Sequence, residues 1–359
     1  MEMKKTLTLT LTLTLTLACY AQSVIHYVSA NGAVANPLAN SFYDAQGEAL
    51  DVASNTYEDD MGTLTLSGEV TRFADGALYD MDLLFVTVPA TVTTMGGRAF
   101  QSCTHLQAIL FESDAVPTAS SSDSYAFGST EMTIYAPLGG YQAYHDAFIS
   151  KTGVSFVCLW QDITLGGSGM GTFSDTSAQW LYRTAYTPNT TLKAYRCSDY
   201  DESTVTFVQT DASLAGHGVV LVGNASTTYR LLQTKSELTA EDNHMMAADG
   251  NIIEDASGKY ILTSGTHGIG FYPLQAGTAV ASGKAYLDLG TSSNAKYFTI
   301  EFNDETGVEE MDFGNSGSLE IPRSRDPEIQ HSSYNLAGQR VNAGYKGMVI
   351  ENGIKYLRK

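Results

Sequence analysis

The 359-residue sequence predicts a mainly β protein: a short repeat solenoid, then an antiparallel β-sandwich or barrel module, then a small C-terminal β tail. Two segments, 64–78 and 86–100, align without a gap at an offset of 22 residues (86 − 64). Short alternating apolar runs broken by Gly, Asn, Asp and Ser then continue to about residue 302. The composition agrees, since 21 tyrosines, many Thr and Val and only 16 % charged residues favour strands over helices.

The first 21 residues read as a targeting segment rather than as part of the fold. Lys4 and Lys5 give a basic start, an uncharged Thr-Leu run follows to Ala18, and Cys19-Tyr20-Ala21 supplies small residues for cleavage after Ala21. An alternative is that 16–19 (TLAC) is a lipoprotein processing box, with Cys19 lipidated. Either reading predicts an exported protein, secreted or at the cell surface. No later stretch reaches the roughly 18 apolar residues of a membrane span. The net charge of −19, without a local basic patch, repels phosphates and makes nucleic acid and anionic lipid poor partner candidates.

The repeat occupies 62–160, behind an N-terminal cap at 22–61. Segments LTLSGEVTRFADGAL (64–78) and VTVPATVTTMGGRAF (86–100) place apolar residues at Leu64/Val86, Leu66/Val88, Val70/Val92, Phe73/Met95, Ala77/Ala99 and Leu78/Phe100. A looser third copy restarts at Ile109, repeats the pair Ala126-Phe127, and restarts again at Met132. One short strand per unit of some two dozen residues is the arithmetic of a leucine-rich-repeat solenoid, whose units must stack to bury their inward side chains.

The stretch 86–111 is similar to the BspA-like leucine-rich repeat of bacterial surface proteins. Val88-Pro89, Thr91-Val92-Thr93, Ala99-Phe100, Cys103, Leu106 and Ile109 hold the places of that pattern. The resemblance implies that Cys103 is a small core residue, and that 135–144 (YAPLGGYQAY) with Trp160 closes the array. It places Leu64, Val86 and Ile109 on neighbouring parallel rungs. The middle residue of each strand then faces outward, giving Thr65, Thr87, Leu110 and Tyr135 as a candidate ligand-binding ladder.

From 161 to 302, runs such as TVTFVQT (204–210), GVVLVG (218–223) and KYILTS (259–264) predict the sandwich or barrel, with one helix around 236–247. Residues 303–330 read as a linker. The tail, 331–359, resembles C-terminal tails that serve as type IX secretion sorting signals; a plain docked hairpin is the alternative.

No spacing here points to catalysis or to a cofactor. GGSGMG (166–171) departs from the dinucleotide fingerprint, with Thr172 following the run, and reads as a turn. None of the seven histidines is spaced as a metal pair, and His217 and His267 sit beside glycines. The clusters at Glu58-Asp59-Asp60, Glu241-Asp242 and Glu309-Glu310 read as solvated turns. Cys158 and Cys197 are either bridged or free. The functional expectation is a non-catalytic, adhesin-like binding protein with no cofactor and no metal, recognising a host or matrix protein or a glycan through the repeat face. The alternatives are a glycan-directed hydrolase and a structural component of an extracellular layer.

Overall fold

The computed structural model describes residues 21–303, apart from 124, 126, 130, 183, 185, 188–190 and 292, together with four strand segments of the C-terminal tail. Residues 1–20 of the expected targeting segment (1–21), Cys19 included, lie outside the described residues, as do Ala126, residues 304–330 of the expected linker and His331. The chain is mainly β, with a β-solenoid of about 4 turns.

Two ladders of parallel strands build the solenoid. On one side Leu83–Val88, Ala108–Phe111, Met132–Pro137 and the start of Val154–Thr164 run side by side, with Val86, Ile109, Ile134 and Val157 in one row. On the other, Arg72–Phe73, Thr94–Met95 and Thr118–Ala119 align Phe73, Met95 and Ala119. Between them main-chain bonds join successive coils: Thr93 N–H donates to Thr71 O (2.8 Å), Leu78 N–H to Ala99 O (2.8 Å) and Asp80 N–H to Gln101 O (2.9 Å). Val70 and Val92, Phe73 and Met95, and Leu78 and Phe100 all enter one core. Gly96 is required where the turn passes the previous coil, because a Cβ there would collide with the Ala74 backbone.

The first rung departs from the sequence expectation. Val86 and Ile109 are parallel neighbours, but Leu64 is not beside them. The strand Val24–Ser29 lies between Met61–Leu66 and Leu83–Val88, antiparallel to both. Its Ile25 and Tyr27 face inward with the repeat core, and the Tyr27 ring occupies the space over Gly62 that a side chain would fill. Val52–Glu58 then folds onto Met61–Leu66 through Asp59 and Asp60, both at positive φ (50° and 62°), a turn that suits hairpin twist. The segment expected only to cap the array is thus partly inside it.

At the far end the helix Tyr141–Phe148 covers the last coil. Tyr144 and Phe148 are buried, with ring centroids 5.0 and 5.5 Å from that of Phe111. The boundary expected at 160/161 falls inside a strand. Val154–Thr164 starts parallel to Met132–Pro137, then pairs antiparallel with Thr228–Thr234, so one ten-stranded sheet runs through both regions. Arg230 marks the crossing: its guanidinium lies 4.1 Å from the Trp160 ring centroid and bonds Asp162 (2.9 and 3.1 Å) and Glu112 (3.0 Å).

Beyond the crossing the sheets are layered. A five-stranded sheet, ordered Met170–Ser174, Gly218–Val222, Lys193–Tyr200, Thr204–Thr210 and Thr299–Asn303, carries a core on each face. Phe173, Val219 and Leu221 meet Trp180 and Leu231 of the long sheet. Val220, Tyr195 and Phe207 meet Phe271 and Leu287 of a four-stranded sheet built from Met245–Ala247, Ala285–Asp288, Lys259–Gly265 and Gly268–Pro273. The layers number three rather than two because GVVLVG is apolar on both sides and needs a partner on each. Residues 236–247 form no helix: they run irregularly until the strand Met245–Ala247, since the apolar residues there lack helical spacing. The tail segments Arg340–Val341, Ser333–Asn335, Gly347–Glu351 and Ile354–Arg358 form their own antiparallel sheet in that order.

Phe111 joins the third coil to the closing helix at no measurable exposure. Phe111→Ala is expected to lower unfolding stability by about 3–5 kcal/mol, read from urea denaturation; an unchanged midpoint would contradict this packing.

Candidate functional site

The ladder inferred from the repeat is not a presenting face. Thr65 is half-buried on the Met61–Leu66 strand, and Thr87, Leu110 and Tyr135 are 4 %, 0 % and 6 % exposed. The outer surface of the long sheet has its own apolar cluster, in which Leu110 and Tyr135 join Val28, Phe85, Cys158 and Leu232. Tyr186, arriving from the following module, stacks on Phe85 at 5.1 Å and donates its hydroxyl to Gln107 Oε1. Thr87 Oγ1 accepts the His26 N–H at 2.9 Å. Burial pushes the Tyr135 hydroxyl well above the usual phenol range. A signal for this was present in LLFV (83–86) and AILF (108–111), continuous apolar runs that mark strands buried on both faces.

The reactive residue types are placed structurally. Cys103, Cys158 and Cys197 are free and buried. Burial raises their thiols to about 11, 11 and 12 respectively. Cys103 also donates to Leu78 O at 2.9 Å, as a small core residue does. His267 is exposed on a hairpin turn, and His217 is half-buried with its Nδ1 3.4 Å from Ala215 O. Asp59 and Asp60 turn the first hairpin, and Glu241 pairs with Arg196 at 2.6 Å. Glu309 and Glu310 lie outside the described residues. Among the described residues, no three or more His, Cys, Asp or Glu side chains are grouped to hold a metal ion. No helix among them is long and apolar enough to cross a membrane.

The site the structure does build is a cleft along the edge strand Met170–Ser174. Its main cavity is about 630 Å³, flanked by the GGSGMG turn and by Ser282 and Lys284. A second cavity of about 360 Å³ continues past Thr263 and Ile269 and shares Met170, Gly171, Thr172 and Lys284 with the first. The lining is rich in hydroxyl and amide groups, among them Gln161, Thr164, Thr172 and Ser177. Gly169, at φ 69°, donates its N–H to Gly166 O at 3.0 Å and closes the turn, while a Cβ on Gly166 would meet nothing within 4 Å. The sequence reading of this run as a turn agrees, but its place on the rim of a cleft was not visible.

Asp175 is the carboxylate in the cleft. Burial by itself would raise its pKa. Bonds from Ser177 N (2.8 Å), Ala178 N (3.0 Å), Ser177 Oγ (3.0 Å) and Trp180 Nε1 (3.0 Å) outweigh that and hold it below the usual carboxylate range. With both oxygens occupied it shapes the turn 175–178.

The main chain of the edge strand is the more open resource. Met170–Ser174 pairs on one side only, with Gly218–Val222. Ser174 N–H points away from that neighbour, to Gly283 O at 3.2 Å, whereas Gly169 O accepts from Gly223 N–H at 2.9 Å. Strand alternation therefore turns both main-chain groups of Thr172 outward, into the cleft. Comparison of the chain with models of known families, with curated proteins and with solved structures finds no match in any of the three.

Buried thiols raised to about 11–12 hold almost no thiolate at about pH 8. Cys103, Cys158 and Cys197 are expected to stay unmodified by a thiol-reactive disulfide in native buffer and to react fully in denaturant. Peptide mapping by mass spectrometry checks this, and native labelling of any of the three would place that residue wrongly.

Proposed function

We propose that this chain is a non-catalytic binding protein of the cell exterior that takes an extended segment of a partner polypeptide into the Met170–Ser174 cleft. The observation that carries the reading is the outward-facing main chain of Thr172 in a hydroxyl-lined cleft of about 630 Å³. An added strand gains affinity from main-chain hydrogen bonds and specificity from alternate side chains. Lys284, an exposed residue of the cleft lining, favours acidic residues in the incoming segment.

The remaining parts fit this role. The coils at 62–160 are read as a BspA-like leucine-rich array, supported by the parallel rungs through Val86, Ile109 and Ile134. In that array Thr87, Leu110 and Tyr135 are buried and Thr65 is half-buried, so recognition moves from the repeats to the layered module beyond them. Export rests on the basic, apolar and small-residue order of the first 21 residues, and sorting on the resemblance of the tail.

The test is selection from a displayed random-peptide library against residues 22–359. Enriched peptides are expected to slow hydrogen exchange at the Thr172 amide. Gly166→Trp, which fills the cleft from a position with no neighbour in the way, is expected to weaken their binding at least tenfold without lowering the melting temperature. Peptides that bind Gly166→Trp as well as the parent chain would overturn the proposal, as would a library that yields no binder.

A further inference from the structure

The solvent side of the four-stranded sheet carries a transverse row of apolar side chains that the cleft does not use. Met245, Tyr260, Phe271 and Leu287 point into the core between the layers. Alternation puts their chain neighbours Met246, Ile261, Tyr272 and Tyr286 on the opposite face. Met246 pairs with Tyr286 and Ile261 with Tyr272, while the Tyr260–Leu287 pair sets the central strands in register. Tyr297 extends the row, its ring centroid 4.9 Å from that of Tyr272. All five side chains are half-buried.

Two of the rings are fixed in advance. Tyr272 lies over Gly265 and Tyr297 over Gly270, where any side chain on either glycine would run into the ring. The Tyr272 hydroxyl accepts the His267 N–H and donates to Gly268 O, each at 3.0 Å. The Tyr297 hydroxyl reaches His267 O and Ile269 O at 3.4 Å. One face of each ring is therefore covered by backbone and its orientation is set, so little side-chain entropy remains to be lost on binding. Beside the row, Lys259 and Asp288 pair at 3.2 Å and leave no net charge of their own.

We infer that this row is a stacking platform for a neutral, linear polysaccharide. Tyr286 and Tyr272 stand on strands two apart in the sheet, so their backbones are about 10 Å apart, and the Tyr272 ring extends from there toward Gly265. Two aromatic side chains rooted at that backbone spacing can meet successive parts of an extended pyranose chain, whose apolar CH faces stack on aromatic rings. The net charge of −19 disfavours an anionic glycan. A stable protein interface needs about 800 Å² from each partner, more than one row of five half-buried side chains supplies. This surface is separate from the cleft and does not depend on the peptide reading.

The test is affinity electrophoresis of residues 22–359 through gels containing laminarin, xylan, mannan or hydroxyethyl cellulose, with hyaluronan as the anionic comparison. At least one neutral glycan is expected to retard the chain, and hyaluronan is not. Tyr286→Ala removes a ring that anchors no hairpin turn and is expected to weaken retardation about fivefold to tenfold, whereas Tyr286→Phe stays near the parent value. Gly166→Trp, confined to the cleft, is expected to leave retardation intact. The inference is overturned if no neutral glycan retards the chain, if hyaluronan retards it more strongly, if Tyr286→Ala behaves as the parent, or if Gly166→Trp abolishes the effect.

Discussion

The strand Val154–Thr164 is the constraint on which the rest of the molecule depends. Its first half completes the parallel ladder of the solenoid and its second half opens an antiparallel one, so the hydrogen-bonding mode changes within eleven residues of uninterrupted chain. Without it the last coil would expose Met132–Pro137 as an edge, and the layered module would lose the strand that orients Thr228–Thr234. Arg230 fixes the crossing from the side, with its plane on Trp160 and its donors on Asp162 and Glu112. Such a guanidinium, half-desolvated and bonded to two carboxylates, resists exchange for lysine because the planar fork is what matches the geometry.

A second constraint follows from burial on both faces. The central sheet places Val219 and Leu221 in one core and Val220 in the other, so a single five-residue strand joins two hydrophobic layers. The outer surface of the solenoid sheet is treated the same way, with Tyr186 stacked on Phe85. Binding surfaces are then left only where a strand edge or a solvent-facing row escapes this double coverage. We therefore propose recognition at the Met170–Ser174 edge and the Tyr272–Tyr286 row, whereas Thr87, Leu110 and Tyr135 of the repeats lie beneath such coverage.

The repeat was legible because each coil reuses the same inward positions; Val70 and Val92 or Leu78 and Phe100 meet the same core whatever the intervening loop does. The closing unit was read through its resemblance, from 135–144 and Trp160; the helix that does the closing, with Tyr144 and Phe148 one turn apart against the last coil, was not read. Partner choice was not legible. Alternation in Val24–Ser29 marks a strand but carries no information about which neighbours it joins, and nothing local says that it enters the array rather than ends it. The outward ladder failed because the repeat pattern fixes only the inner face. What covers the outer face comes from Tyr186, more than seventy residues beyond Leu110, and that pairing is a tertiary property. The cleft was hidden similarly: GGSGMG announces a turn, but Ser282 and Lys284 on its far wall come from over a hundred residues away.

The inserted strand Val24–Ser29 also limits how this architecture can lengthen or shorten. Stacked arrays commonly gain and lose units by duplication and deletion, since each unit contacts only its neighbours. Here the first and second coils are held apart on one side by a foreign antiparallel strand while touching on the other. A duplicated unit at that junction would meet a neighbour of the wrong direction and leave a row of main-chain groups unpaired. Growth is open only where rungs abut directly, between the coils carrying Val86, Ile109 and Ile134. An added coil is therefore accommodated in the middle of the stack and resisted at its first junction.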